Sequence, residues 1–148
     1  MTASELKNRQ DADTVELRIA ARAENVALAR LTLSGVAAAA GAPPDVVADL
    51  KLAVSEACTN AVQHAYTELS GDREGRVVLR FAVATGKLLV EVEDEGSGFE
   101  LVTRASWEDG ERAGRGLGMG LTIVRSVTDE LEIESGGKGS RVVFSKKF

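Results

Sequence analysis

The segment EACTNAVQHAY, Glu56 to Tyr66, sets an acid, an amide and the chain's single histidine four residues apart within a run rich in small apolar side chains. Four residues is about one helical turn, so on a helix Glu56, Asn60 and His64 rise above one another along one stripe. The flanking sequence predicts that helix. Pro44 suits a first turn, where its missing N–H costs nothing, and the Asp45 carboxylate suits the positive end of the helix dipole. From Pro44 to about Thr67, residues Val47, Leu50, Val54, Ala57, Ala61 and Ala65 line one face. Glu56 and Asn60 sit roughly 100–140° around from it at about 100° per residue. They therefore flank a core instead of entering it. That position fits side chains that meet a ligand, and it fits equally a solvated stripe on an amphipathic helix.

Working outward, Glu24 to Ala40 repeats apolar residues at helical spacing (Val26, Ala29, Leu33, Val36), and Gly41 with Pro43 and Pro44 supplies the stop. Before it, TVELRIA (Thr14 to Ala20) alternates Val15, Leu17 and Ile19 with Glu16 and Arg18, the period of a half-buried strand. After the long helix, RVVLRFAV and KLLVEVED read as two antiparallel strands joined through ATGK, with Gly86 available for the turn. A polar, glycine-rich stretch follows to about Gly118, and a loop of that length in a compact domain is usually functional or mobile. MGLTIVRSVTDE restores helical spacing through Leu121, Val124 and Val127. LEIES and RVVFSKKF then form a hairpin about GGKGS. Strand pairs joined by short turns imply an α+β fold: a two-layer sandwich whose mostly antiparallel mixed sheet is covered on one face by three helices. Residues 1–13 read as a loose tail and 14–148 as a single domain.

At 148 residues, 44% hydrophobic and 28% charged, the chain suffices for one domain with a real core. A net charge of -5 argues against a general attraction to nucleic acid or to an anionic membrane surface. Cys58 is the only cysteine and lies among alanines and valines, so it reads as a buried small hydrophobe in a reducing compartment. No stretch has the apolar core of a secretory signal or the roughly 18 residues of a membrane span, and the expected location is the cytoplasm.

Four segments carry candidate chemistry: EACTNAVQHAY, DEGSGF after a strand, GRGLGMG opening a helix, and GGKGS between two strands. Each alone has a plain structural reading, as helix surface, turn, linker or hairpin tip. Taken in this order they resemble the GHKL ATPase superfamily, which has the Bergerat nucleotide-binding fold. Glu56, Thr59, Asn60, Ala61, His64 and Tyr66, with ARAENVALAR near the start, resemble one branch of it, the small anti-sigma-factor serine kinases of bacteria. The resemblance implies ATP and Mg²⁺ as cofactors. Asp94 would accept a hydrogen bond from the adenine amino group, with Gly96 and Gly98 allowing close approach of the base and Ser140 assisting. Asn60 would be the Mg²⁺ ligand, since that ion takes one or two protein ligands beside waters and phosphates. Gly114, Gly116, Gly118 and Gly120, with Met119 and Leu121, would form the end of an ATP lid whose N–H groups meet the phosphates. No G-K-[ST] follows at the spacing of a Walker A loop.

Glu56, one turn before Asn60, is the general-base candidate for the attacking hydroxyl, a role typically worth about 10²–10⁴ in rate. His64 reads as an orienting or packing residue, because the chain lacks the separate helical hairpin that carries the phospho-acceptor of histidine kinases. The resemblance further implies a sigma factor of RNA polymerase and an anti-anti-sigma protein phosphorylated on serine as partners, a homodimer, and a place in stress or sporulation control. A nucleotide-sensing binding module, or a stress-complex kinase that binds no sigma factor, would use the same pocket.

Overall fold

The computed structural model describes residues 14–68, 75–94, 118–136 and 139–148. In chain order these form β1 (Thr14–Ala20), α1 (Val26–Ala40), α2 (Pro44–Glu68), β2 (Arg76–Ala84), β3 (Lys87–Asp94), α3 (Gly118–Val127), β4 (Glu130–Gly136) and β5 (Gly139–Lys147). The strands make one five-stranded sheet in the order β1-β2-β3-β5-β4. All four ladders described are antiparallel. The chain thus adds strands outward-in at its end: β4 lies on the edge, and β5 returns to pair with β3. That arrangement brings the last residue of β3 beside the start of β5.

The helix boundaries follow local chemistry. A single 3-10 turn at Ala23–Asn25 precedes α1, two residues later than periodicity alone suggests, and Asn25 Nδ2 donates to the Ala20 carbonyl at 2.9 Å, tying that turn to the end of β1. Gly41 ends α1 in the left-handed region (φ 77°), where a residue with a Cβ would be strained. Gly86 makes the β2–β3 turn with φ 67°.

Strand alternation divides the sheet into two unlike faces. On one, Leu17, Ile19, Val77, Leu79, Phe81, Leu88, Val90, Val92, Val142, Phe144 and Ile133 pack with the helices into a single core. The helices contribute Ala29, Leu33 and Ala37 from α1, then Leu50, Ala53, Val54, Ala57, Cys58, Ala61 and Val62 from α2, and Leu121 and Val124 from α3. Fully burying a side chain such as Leu50 contributes about 1.5–3 kcal/mol. Val47, expected in the apolar stripe of α2, is only partly buried; Val46 and Ala53 take up the burial instead.

The opposite face carries a charge network that the alternating strands do not announce. Glu91 of β3 is fully buried, although charged strand residues normally read as the wet side of a sheet. Arg80 Nη1 donates to Glu91 Oε2 at 3.0 Å and to Glu93 Oε2 at 2.9 Å, and its Nε reaches Glu16 Oε2 at 3.0 Å. From the other side Arg141 Nε donates to Glu91 Oε1, and its Nη1 to Glu134 Oε2 at 3.0 Å. Burial opposes the charge on Arg80, but the hydrogen bonds with Glu93 and Glu91 and the field of Glu91 outweigh it and hold the guanidinium above its ordinary range. Ala82, Leu89 and Val143 make a small apolar cluster on the same face.

A buried carboxylate held by two guanidiniums is costly to break from one side, because the remaining charges lose their partner. Glu91→Ala is expected to lower stability by about 3–5 kcal/mol. Urea unfolding of the purified variant checks this, and a loss below about 1 kcal/mol, the scale of an exposed pair, would contradict the burial.

Candidate functional site

Helix α2 has one face committed to the core and another turned away from it. Ala57, Cys58 and Ala61 are buried, and they bracket Glu56 and Asn60, which are half-buried at the boundary of the core. The flanking position expected from the helical wheel is therefore realised. His64 is also half-buried on this helix. Asn60 has a further property: its Nδ2 is buried and, among the described residues, has no hydrogen-bond partner. An unmatched buried amide is costly, and a half-turn about the last side-chain bond exchanges its nitrogen and oxygen.

Asp94 is the last residue of β3, and its alternation with Val90 and Val92 puts it on the helix side of the sheet, at the end of the core row. In the β3–β5 ladder it stands directly opposite Ser140. Both side chains are buried, and the Ser140 hydroxyl donates to Asp94 Oδ2. The sequence named these two residues from segments 46 positions apart, and the inward position of β5 is what makes them neighbours. A carboxylate anchored by one hydroxyl retains further acceptor capacity for a donor group approaching the end of the strand.

Gly118 opens α3. Met119 is 78% exposed, whereas Leu121 is fully buried in the core, so only its backbone is available to a ligand. Gly120 lies against α2: a Cβ placed there would come 3.1 Å from Glu56 Oε2. The glycine-rich run and the acid of EACTNAVQHAY are thereby brought together across two helices. Gly96, Gly98, Gly114 and Gly116, the greater part of the expected lid, and the tail at residues 1–13 lie outside the described residues.

Lys146, which the sequence did not single out, bridges two helices from β5. Its Nζ is 3.2 Å from Asp49 Oδ2 on α2 and donates to the Val127 carbonyl at the end of α3 at 3.0 Å. A cation at a helix C-terminus is favourable, and the only sequence signal for it would have been the fold itself.

No group of three or more His, Cys, Asp or Glu suited to a metal occurs among the described residues. A divalent cation here would rely on the Asn60 amide oxygen together with ligand phosphates and water, a donor set that suits Mg²⁺. Asn60, half-buried at the edge of the core, can offer one such oxygen. A separate cavity of about 680 Å³ opens at the other end of the strands, among Val15, Val36, Ala39, Val83 and Phe148, and is lined by none of the candidate site residues.

Comparison with known proteins gives a concordant picture. Residues 19–146 match the family described as the histidine kinase-like ATPase domain. A serine-protein kinase RsbW of Bacillus subtilis (strain 168) is 40% identical over 136 residues, covering 86% of this chain and 81% of that protein. One from Listeria innocua is 37% identical over 140 residues, covering 90% of this chain and 87% of that protein. Among solved structures, the RsbU and RsbW domains of a Mycobacterium tuberculosis protein superpose with a TM-score of 0.67 at 23% identity, over 94% of this chain and 33% of that one, a likeness of fold. A blue-light-activated histidine kinase domain from Erythrobacter litoralis gives a TM-score of 0.57 at 28% identity, over 80% of this chain and 60% of that one.

Cys58, between Glu56 and Asn60 in sequence, is turned into the core, and burial pushes its thiol up to about 11 from an ordinary value near 9.0. The thiolate is the reactive form. Native protein at pH 8 is therefore expected to resist a thiol reagent such as dithionitrobenzoate, with one equivalent released on unfolding. Because the folded thiol holds its proton longer than the unfolded one, this group's contribution to stability is present below about pH 9 and falls between about 9 and 11.

Proposed function

The chain belongs to the histidine kinase-like ATPase family, within the GHKL group and beside the RsbW serine-protein kinases, and from that premise we propose that it is an ATP-dependent protein serine kinase and anti-sigma factor. It sequesters a sigma factor of RNA polymerase and phosphorylates an anti-anti-sigma antagonist on serine. The observation that carries the chemistry is the pairing of Asp94 with Ser140 at one end of the core, on the same side of the sheet as the helix that presents Glu56 and Asn60. Identity near 40% over most of both chains supports the kinase assignment. The absence of a helix long and apolar enough to cross a membrane, among the described residues, is compatible with work in the cytoplasm. We place the reaction in the single domain 14–148, working as a homodimer.

In this reading the Asp94 carboxylate accepts from the adenine amino group, and Ser140 holds that carboxylate in place. Its selectivity is for a base with a donor there, since guanine presents a carbonyl acceptor at the equivalent edge. Gly96 and Gly98 leave room for the base. Asn60 would hold Mg²⁺, which would supply charge neutralisation at the phosphates. We assign the binding of the phosphate oxygens to the backbone N–H groups of the run Gly114 to Gly120. The antagonist's serine hydroxyl attacks the terminal phosphorus of ATP. A new O–P bond forms as the bond to the bridging oxygen of ADP breaks, and the hydroxyl proton passes to Glu56. Positioning and charge supply most of the acceleration in such a transfer, and the base adds its share.

The roles of Glu56 and Asn60 separate in single-turnover phosphorylation at saturating Mg²⁺-ATP. Glu56→Ala should leave nucleotide affinity and sigma-factor binding nearly unchanged while slowing transfer by about 10²–10⁴. Asn60→Ala should weaken Mg²⁺-dependent ATP binding itself. Transfer at the wild-type rate in Glu56→Ala rejects the base. A wild-type protein that binds ATP yet labels no partner isolated with it would replace the kinase by a nucleotide-sensing switch.

A further inference from the structure

Among the described residues, the glycine-rich run meets the proposed base at Gly120. A Cβ at Gly120 would lie 3.1 Å from Glu56 Oε2, 3.6 Å from its carbonyl oxygen and 3.7 Å from its Cβ. The first turn of α3 is thus laid directly on the Glu56 side chain, with a hydrogen atom where any other residue would carry carbon.

Neither helix is free to open that contact. Leu121, the next residue, and Val124 are fully buried, so α3 is embedded along its inner face. Thr128 Oγ1 donates to the Val124 carbonyl at 2.7 Å, and Lys146 donates to the Val127 carbonyl at 3.0 Å while pairing with Asp49 of α2. On the other side, Ala57 and Cys58 bury α2 immediately beyond Glu56. The carboxylate is the most mobile part of the contact. A methyl group at position 120 would therefore displace Glu56 Oε2 by a few tenths of an ångström before it moved either backbone.

We propose that Gly120 is a positioning residue for phosphoryl transfer: its lack of a side chain leaves the slot that aims the Glu56 carboxylate, beyond whatever its N–H contributes to phosphate binding. This rests on the reading of Glu56 as the base. Proton acceptance demands a defined distance and direction to the attacking hydroxyl, and displacement of about 1 Å costs on the order of 10² in rate. A shift of tenths of an ångström should cost less, about tenfold.

The test is Gly120→Ala, made alone and together with Glu56→Ala. Alanine favours a helix over glycine, Gly120 does not occupy the left-handed region and the tight contact is with the end of a side chain, so the variant should fold with an unfolding temperature close to that of wild type. The expected result is a fall of about tenfold in kcat and in the single-turnover rate, with KM and Kd for ATP within about twofold of wild type. In the Glu56→Ala background the same substitution should cost nothing further, since no carboxylate remains to be displaced. Wild-type kcat in Gly120→Ala, a loss appearing in ATP affinity instead of kcat, or a full tenfold loss added to that of Glu56→Ala would each overturn the proposal. A failure of the base itself is distinguished by Glu56→Ala alone, which would then transfer phosphate at the wild-type rate.

Discussion

The rotation of α2 about its own axis is the constraint on which the other features rest. Leu50, Val54, Ala57, Cys58 and Ala61 are sealed into the core, and a helix so gripped cannot turn without exposing part of that stripe. Turning it by one residue's worth, about 100°, would move Glu56 and Asn60 off the edge of the core and forfeit several kcal/mol of burial. The same apolar contacts that stabilise the domain therefore aim its polar chemistry. The small side chains in the stripe matter for a second reason, since they let the helix lie close to the sheet and to α3.

The sheet fixes the other half of the site by register. Asp94 and Ser140 meet because β5 pairs with β3, with β4 outside it, and because the ladder sets those two residues opposite each other. With a period of two, a shift of one residue would send the Asp94 side chain to the far face. Position along the chain has little to do with this proximity, which is a property of the ladder.

Much of this was legible in the sequence because it depends on short periods. The alternation in TVELRIA and KLLVEVED, the helical spacing from Pro44 onward, and the Gly41 and Gly86 stops were each visible over a few residues, and the elements form there. Glu56 and Asn60 could be placed at the edge of the core from a helical wheel alone. Other features depend on partners distant in the chain. Nothing near Gly120 reveals that Glu56 lies against it, nothing near Lys146 reveals the end of α3, and a strand reading EVED gives no reason to bury its first glutamate. The inner position of β5 was likewise not readable, since a hairpin signal says which strands pair and not which of them faces the rest of the sheet.

The buried Glu91 carries a consequence for how the chain avoids wrong structures. A slip of two residues between neighbouring strands keeps every apolar side chain on its proper face, so hydrophobic patterning alone discriminates poorly against it. Glu91 takes a guanidinium from β2, directly opposite it in the ladder, and another from β5, one pair along, and a slip of β5 that carried Arg141 farther from it would withdraw a partner from a carboxylate already out of water. That mispairing is thus made expensive at the centre of the sheet, where it would otherwise be nearly as good as the native one. The network would act less as a source of native stability than as a gap between the native basin and its nearest competitors, and it would do so most strongly late in folding, once the carboxylate has lost its water.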